Sequence, residues 1–171
     1  MDRADATRCD DPPVNGAKGS ARSRARGFDV VVFDFDGVCT PSPGEFIASR
    51  NELATLRPTL APVIAQLRDR GSQIALLSNE FDRAWMSDIE EFPEFDHVFV
   101  GSDNRIFKPD RRAFQRVLYA VGCDANGCLV IDDDETNCRV ARSIGCHAIQ
   151  FDPDDVTASW AAALAAGPAP E

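Results

Sequence analysis

Short apolar runs alternate along the chain with longer segments whose apolar residues recur every three or four positions. "FDVVVF" (28–33), "QIALLS" (73–78), "HVFVG" (97–101), "CLVID" (128–132) and "HAIQF" (147–151) have the length and the β-branched or aromatic content of buried strands. Between them, "LAPVIAQLRDRG" (60–71) places Leu60, Val63, Ile64 and Leu67 on one helical face, with Gly71 suited to the C-terminal cap. "EFDRAWMSDIEEF" (80–92) repeats the pattern with Phe81, Trp85, Ile89 and Phe92. "PDRRAFQRVLYAVG" (109–122) reads as a helix with Pro109 near its first turn and Gly122 after it. "ETNCRVARSIG" (135–145) and "DVTASWAAALAAG" (155–167) complete the set.

Strands alternating with helices, the strands continuously apolar, predict an α/β fold: a Rossmann-like, doubly wound parallel sheet of about five strands with helices on both faces. In such sheets ligands bind beyond the C-terminal ends of the strands, near the point where strand order reverses. The residues at those ends are Asp34 and Asp36, Ser78 and Asn79, Gly101–Lys108, and Asp132–Asp134, so the candidate chemistry gathers on one edge of the sheet.

Residues 1–27 contain almost no large apolar side chains and read as a disordered tail; residues 28–166 form the expected catalytic domain and 167–171 a short C-terminal tail. The tail has six Arg or Lys against four Asp, so the overall charge of −10 leaves −12 on the rest of the chain. An acidic domain repels phosphate backbones, which argues against nucleic acid, although a bound cation can invert the field within a cleft. No apolar run approaches the ~20 residues that span a bilayer, and the N-terminus lacks the apolar centre of a signal peptide. With no membrane partner or export signal in view, the six cysteines read as reduced thiols in a cytoplasmic protein. A zinc site from Cys123, Cys128, Cys138 and Cys146 has poor ligand spacing.

Asp34, Asp132 and Asp133 make a cluster of hard oxygen donors, which repel one another until a divalent cation resolves the conflict. Oxygen ligation in a chain with two histidines favours Mg²⁺ over zinc. A carboxylate beside Mg²⁺ can attack phosphorus, and a second carboxyl two residues on can protonate the leaving oxygen and then deprotonate the hydrolytic water. Ser78 and a backbone N–H can bind phosphoryl oxygens, and Lys108 can supply a point charge. Beyond residue 27 there are eleven arginines and one lysine, which singles out Lys108 against the alternative of a chance surface position.

The four motifs stand as "DFDGV" (34–38), Ser78 in "LLSN", Lys108 in "FKPD" and "IDDDETN" (131–137). Together, in this order and each after a predicted strand, they resemble the haloacid dehalogenase superfamily of phosphatases and phosphotransferases, over about Phe28 to Asp152. That resemblance implies Asp34 as the nucleophile forming an aspartyl-phosphate. It implies Asp36 as general acid/base, its backbone carbonyl a Mg²⁺ ligand, and Ser78 and Asn79 as holders of the phosphoryl group. Lys108 would stabilise the charged intermediate, Asp132 and Asp133 would complete the metal site, and Gly37 would let the chain enter the turn beyond the first strand. Dehalogenases of the superfamily expel halide, which needs no proton, whereas phosphatases expel alkoxide, so the proton source at Asp36 favours a phosphatase.

Many relatives insert a cap domain between these motifs. Asp34 to Ser78 is 44 positions and Ser78 to Lys108 is 30, too few for a cap, which predicts a site open to solvent or covered by another subunit of a homo-oligomer. The loop Thr40–Arg50 is the local candidate for a partial lid, with Arg50 a candidate substrate contact. Two other classes share parts of the pattern. A phospho-accepting receiver domain orders its acidic pair and lysine differently, and a non-catalytic relative would not need every catalytic position filled. The expected partner is a phosphorylated substrate, a small molecule before a macromolecule, and nothing in the sequence names it.

Overall fold

The computed structural model describes residues 27–41, 56–79 and 94–168. The N-terminal tail, most of the Thr40–Arg50 loop including Arg50, the helix expected over 80–92, and Cys9 lie outside the described residues.

Five strands form one all-parallel sheet: β1 (Val30–Phe33), β2 (Gln73–Ser78), β3 (His97–Val100), β4 (Cys128–Asp132) and β5 (His147–Gln150), in the order β3-β2-β1-β4-β5. The doubly wound sheet expected from the sequence is thus observed. The chain passes from β1 to β2 and β3 on one side, then crosses back to β4 on the other. The switch point therefore falls between β1 and β4, where Phe33 is in register with Ile131. Asp34 and Asp132 leave the sheet side by side as a result.

Alternation along each strand divides the interior into two cores. Val31, Phe33, Ile74, Leu76, Leu129 and Ile131 pack against α1 (Leu60–Arg68) and α4 (Val156–Ala165), with Trp160 wedged among them. Val30, Val32, Ala75, Leu77 and Val130 face the other way, toward α2 (Arg111–Val121) and α3 (Glu135–Ser143). The starts of α2, α3 and α4 are set by acidic caps: Asp110 accepts from Arg112 N, Asp134 from Thr136 N and Asp155 from Ala158 N. Pro109 thus precedes the cap of α2, rather than occupying its first turn. Gly122 closes α2 at a φ of 74°, in the left-handed region.

Candidate active site

Beyond β1 the chain winds into a single π-type turn, Phe35–Cys39, closed by Thr40 N donating to Phe35 O at 3.1 Å. This turn carries Asp36 and Gly37. Gly37 adopts a φ of 77°, and a Cβ at this position would collide with the Asp133 carboxylate, so both backbone conformation and space require glycine here. The turn and the end of β4 are thereby brought into close contact.

At the centre is Lys108, 5% exposed. Its Nζ lies 2.7 Å from Asp34 Oδ1 and 2.7 Å from Asp132 Oδ2. Burial alone would lower the lysine pKa, but the two carboxylates outweigh it and hold the ammonium above its usual range. Asp34 Oδ1 also accepts from Phe35 N at 2.7 Å. Burial pushes the Asp34 carboxyl up to about 7, with Asp132 adding to the rise and Lys108 opposing it. Asp133 is likewise raised, first by burial and then by the charge of Asp132.

The three consecutive aspartates at the end of β4 have separate tasks. Asp132 is almost fully buried, and both its oxygens are engaged: Oδ2 with Lys108, Oδ1 with Asp134 N at 3.0 Å and Asn137 Nδ2 at 2.9 Å. Asp133 reaches the turn at Gly37. Asp134 caps α3. Oxygens of Asp34, Asp132 and Asp133 all lie within 4.8 Å of one another, with no sulfur or imidazole in the set. This donor chemistry fits a hard divalent cation, and a cation there would stabilise the carboxylate forms that burial disfavours. The Asp36 carboxylate is not part of that group; its expected contribution was its backbone carbonyl.

Ser78 is buried at the end of β2, in register with Val100 of β3. The neighbouring Asn79 does something that sequence reasoning missed. Its Oδ1 accepts from Lys108 N at 2.7 Å and its Nδ2 donates to Lys108 O at 2.9 Å, so its side-chain amide clasps the lysine's backbone at both ends. Arg57 was missed as well. It is 9% exposed and bonds the carbonyls of the Asp36 turn. Neither role has a signal in the hydrophobic pattern, because each depends on contacts between distant segments.

The comparisons agree with this geometry. Residues 44–145 match the haloacid dehalogenase-like hydrolase family, and the chain belongs to that family. Acyl-CoA dehydrogenase family member 10 from Mus musculus is 34% identical over 100 residues, which is 56% of this chain and 9% of that much longer protein. Among solved structures, the HAD family enzyme BT-2542 from Bacteroides thetaiotaomicron, determined with magnesium and inorganic phosphate, is similar with a TM-score of 0.59. It is 17% identical, over 74% of this chain and 96% of that one. A predicted phosphoglycolate phosphatase from Haemophilus somnus also has a TM-score of 0.59, at 13% identity, over 71% and 84% of the two chains. The chain is thus a member of the haloacid dehalogenase-like hydrolase family, built in its described residues on a five-stranded parallel sheet. Among the described residues no second sheet or cap domain occurs, and no helix is long and apolar enough to cross a membrane.

Proposed function

We propose that the protein is a Mg²⁺-dependent phosphatase that hydrolyses a phosphomonoester through an aspartyl-phosphate on Asp34, with Asp36 as general acid and base. The observation that carries this reading is the placement of Asp34. Its Oδ1 is bonded to Lys108 Nζ and Phe35 N, and the carboxylates of Asp132 and Asp133 stand close enough to share a cation with it. The other oxygen, Asp34 Oδ2, would attack the incoming phosphorus while Oδ1 is held. The magnesium and phosphate determined with BT-2542 support the same reading.

Asp34, Asp132, Asp133 and the Asp36 carbonyl would hold the metal, which when bound supplies positive charge to shield the phosphoryl oxygens and lowers the cost of ionising Asp34. Asp34 forms the new O–P bond as the ester O–P bond breaks, and Asp36 gives its proton to the departing alkoxide. Asp36 then takes a proton from water as that water attacks phosphorus, releasing inorganic phosphate and restoring the Asp34 carboxylate. Ser78 donates to a phosphoryl oxygen, and Lys108 balances charge on Asp34 throughout. Asn79 acts through Lys108, whose backbone it fixes. The substrate is a small phosphorylated molecule that reaches Asp34 at the strand ends, where no cap domain occurs among the described residues. The test is phosphate release from an aryl phosphate: turnover should require Mg²⁺ and disappear in Asp34→Asn, and turnover that survives the substitution would refute the mechanism.

A further inference from the structure

The turn that carries Asp36 departs from helical backbone angles at Asp36 and Gly37, and the carbonyls of Gly37, Val38 and Cys39 are bonded from outside it. Arg57 collects them. Its backbone N donates to Cys39 O at 2.8 Å, its Nε to Val38 O at 3.0 Å and its Nη2 to Gly37 O at 2.9 Å; Nη2 also reaches Pro41 O at 3.2 Å. The guanidinium lies over the Phe151 ring, 5.3 Å from its centroid, and Phe151 packs against Trp160 at 4.6 Å. The Arg57 carbonyl in turn accepts from Leu60 N at 3.0 Å, which ties the residue to the start of α1. One side chain therefore connects the turn to the core beneath α1 and α4.

The turn needs such an external hold. Gly37 gives it a permissive pivot directly after Asp36, and rotation of the Gly37 peptide would swing both the Asp36 side chain and the contact with Asp133. A planar fork with fixed donor directions can set the orientation of two successive peptides, whereas a lysine ammonium supplies charge without that geometry. We propose that Arg57 is a positioning residue for proton transfer: by holding the carbonyls of Gly37, Val38 and Cys39 it fixes the peptide frame that aims Asp36 at the leaving oxygen, without touching substrate itself. This rests on the acid/base role assigned to Asp36 above.

The test separates geometry from stability through the leaving group. Para-nitrophenolate departs without a proton and an alkoxide does not, so damage to the acid slows phosphoryl transfer from alkyl phosphates, whereas hydrolysis of the phospho-enzyme, which also uses Asp36, slows for both esters. Arg57→Lys should keep the pre-steady-state burst of para-nitrophenolate within a few-fold and lose on the order of tenfold to a hundredfold in the single-turnover rate of alkoxide release from an alkyl phosphate. In Arg57→Ala, guanidinium in solution should restore alkyl phosphate turnover where ammonium does not. An equal loss of the phosphoryl-transfer rate on both esters, or failure of both variants to fold by circular dichroism, would overturn the proposal and make Arg57 a purely structural residue. Asp36→Asn measured in parallel distinguishes the two levels. If it shows the leaving-group dependence and Arg57→Lys does not, the positioning role fails; if Asp36→Asn itself shows none, the acid/base reading fails and the positioning role with it.

Discussion

Substituting Asp34 should make the metal-free protein more stable. Asp34 has an ordinary carboxyl value of 3.8 that burial and Asp132 raise to about 7 in the folded chain. The folded state therefore binds that proton more tightly than the unfolded state. The stabilising contribution of the proton is fully present below 3.8 and is lost as pH rises through about 7. About three pH units at 1.36 kcal/mol each make ionised Asp34 a burden of roughly 4 kcal/mol at pH 8. Asparagine resembles the neutral acid and keeps an acceptor for Phe35 N and Lys108, so Asp34→Asn should recover about 2–4 kcal/mol, or roughly 5–10 °C in Tm. The assay is thermal unfolding in EDTA between pH 5 and 8. Wild type should lose stability across that window, the variant should lose much less, and added Mg²⁺ should raise the Tm of wild type more than that of the variant. A variant less stable than wild type at pH 8 in EDTA would refute the reasoning, because it would mean that Lys108 already compensates the buried charge in full.

Other expectations follow from the same geometry. Lys108→Met should cost about 3–5 kcal/mol in urea unfolding, since it strips two buried carboxylates of their shared cation. Asn79→Ala removes both bonds to the Lys108 backbone and should cost about 2 kcal/mol while lowering kcat more than it changes KM. Gly37→Ala should abolish Mg²⁺ binding by calorimetry, because its methyl group would displace Asp133, and should destabilise the fold by about 1–3 kcal/mol. Burial raises the Cys138 thiol to about 12 and holds Cys39 well above its usual value, so both should resist alkylation of the native protein, while half-buried Cys123 reacts first among the described cysteines, as read by mass spectrometry.

The sheet was readable in advance because its strands are uninterrupted apolar runs, and the site because topology brings the ends of β1, β2 and β4 to one edge. Placing Asp34, Lys108, Asp132 and Asp133 together needed only those strand ends and the opening of α2. The separate tasks of Asp132, Asp133 and Asp134 were not readable, since three identical residues in a row carry no internal sign of which faces the lysine, which the turn and which the helix. Arg57 and Asn79 escaped for a related reason. Their partners are main-chain groups 16–29 positions away, and a backbone carbonyl leaves no trace in residue identity. The arginine singled out by sequence, Arg50, was chosen for its place in a loop, whereas the one bound to the turn stands at the entrance to α1.

The strand order has a consequence for how the molecule opens and closes in solution. β1 lies at the centre of the sheet, paired on both sides by parallel neighbours, while β3 and β5 form the edges. Amide hydrogens on β1 should exchange only through global unfolding, and those of the edge strands through smaller local openings. Asp34 is thus rooted beside the strand expected to exchange most slowly, with Lys108 and the β4 aspartates packed directly around it. The rims of the sheet are free to breathe while the Asp34 carboxylate stays in register.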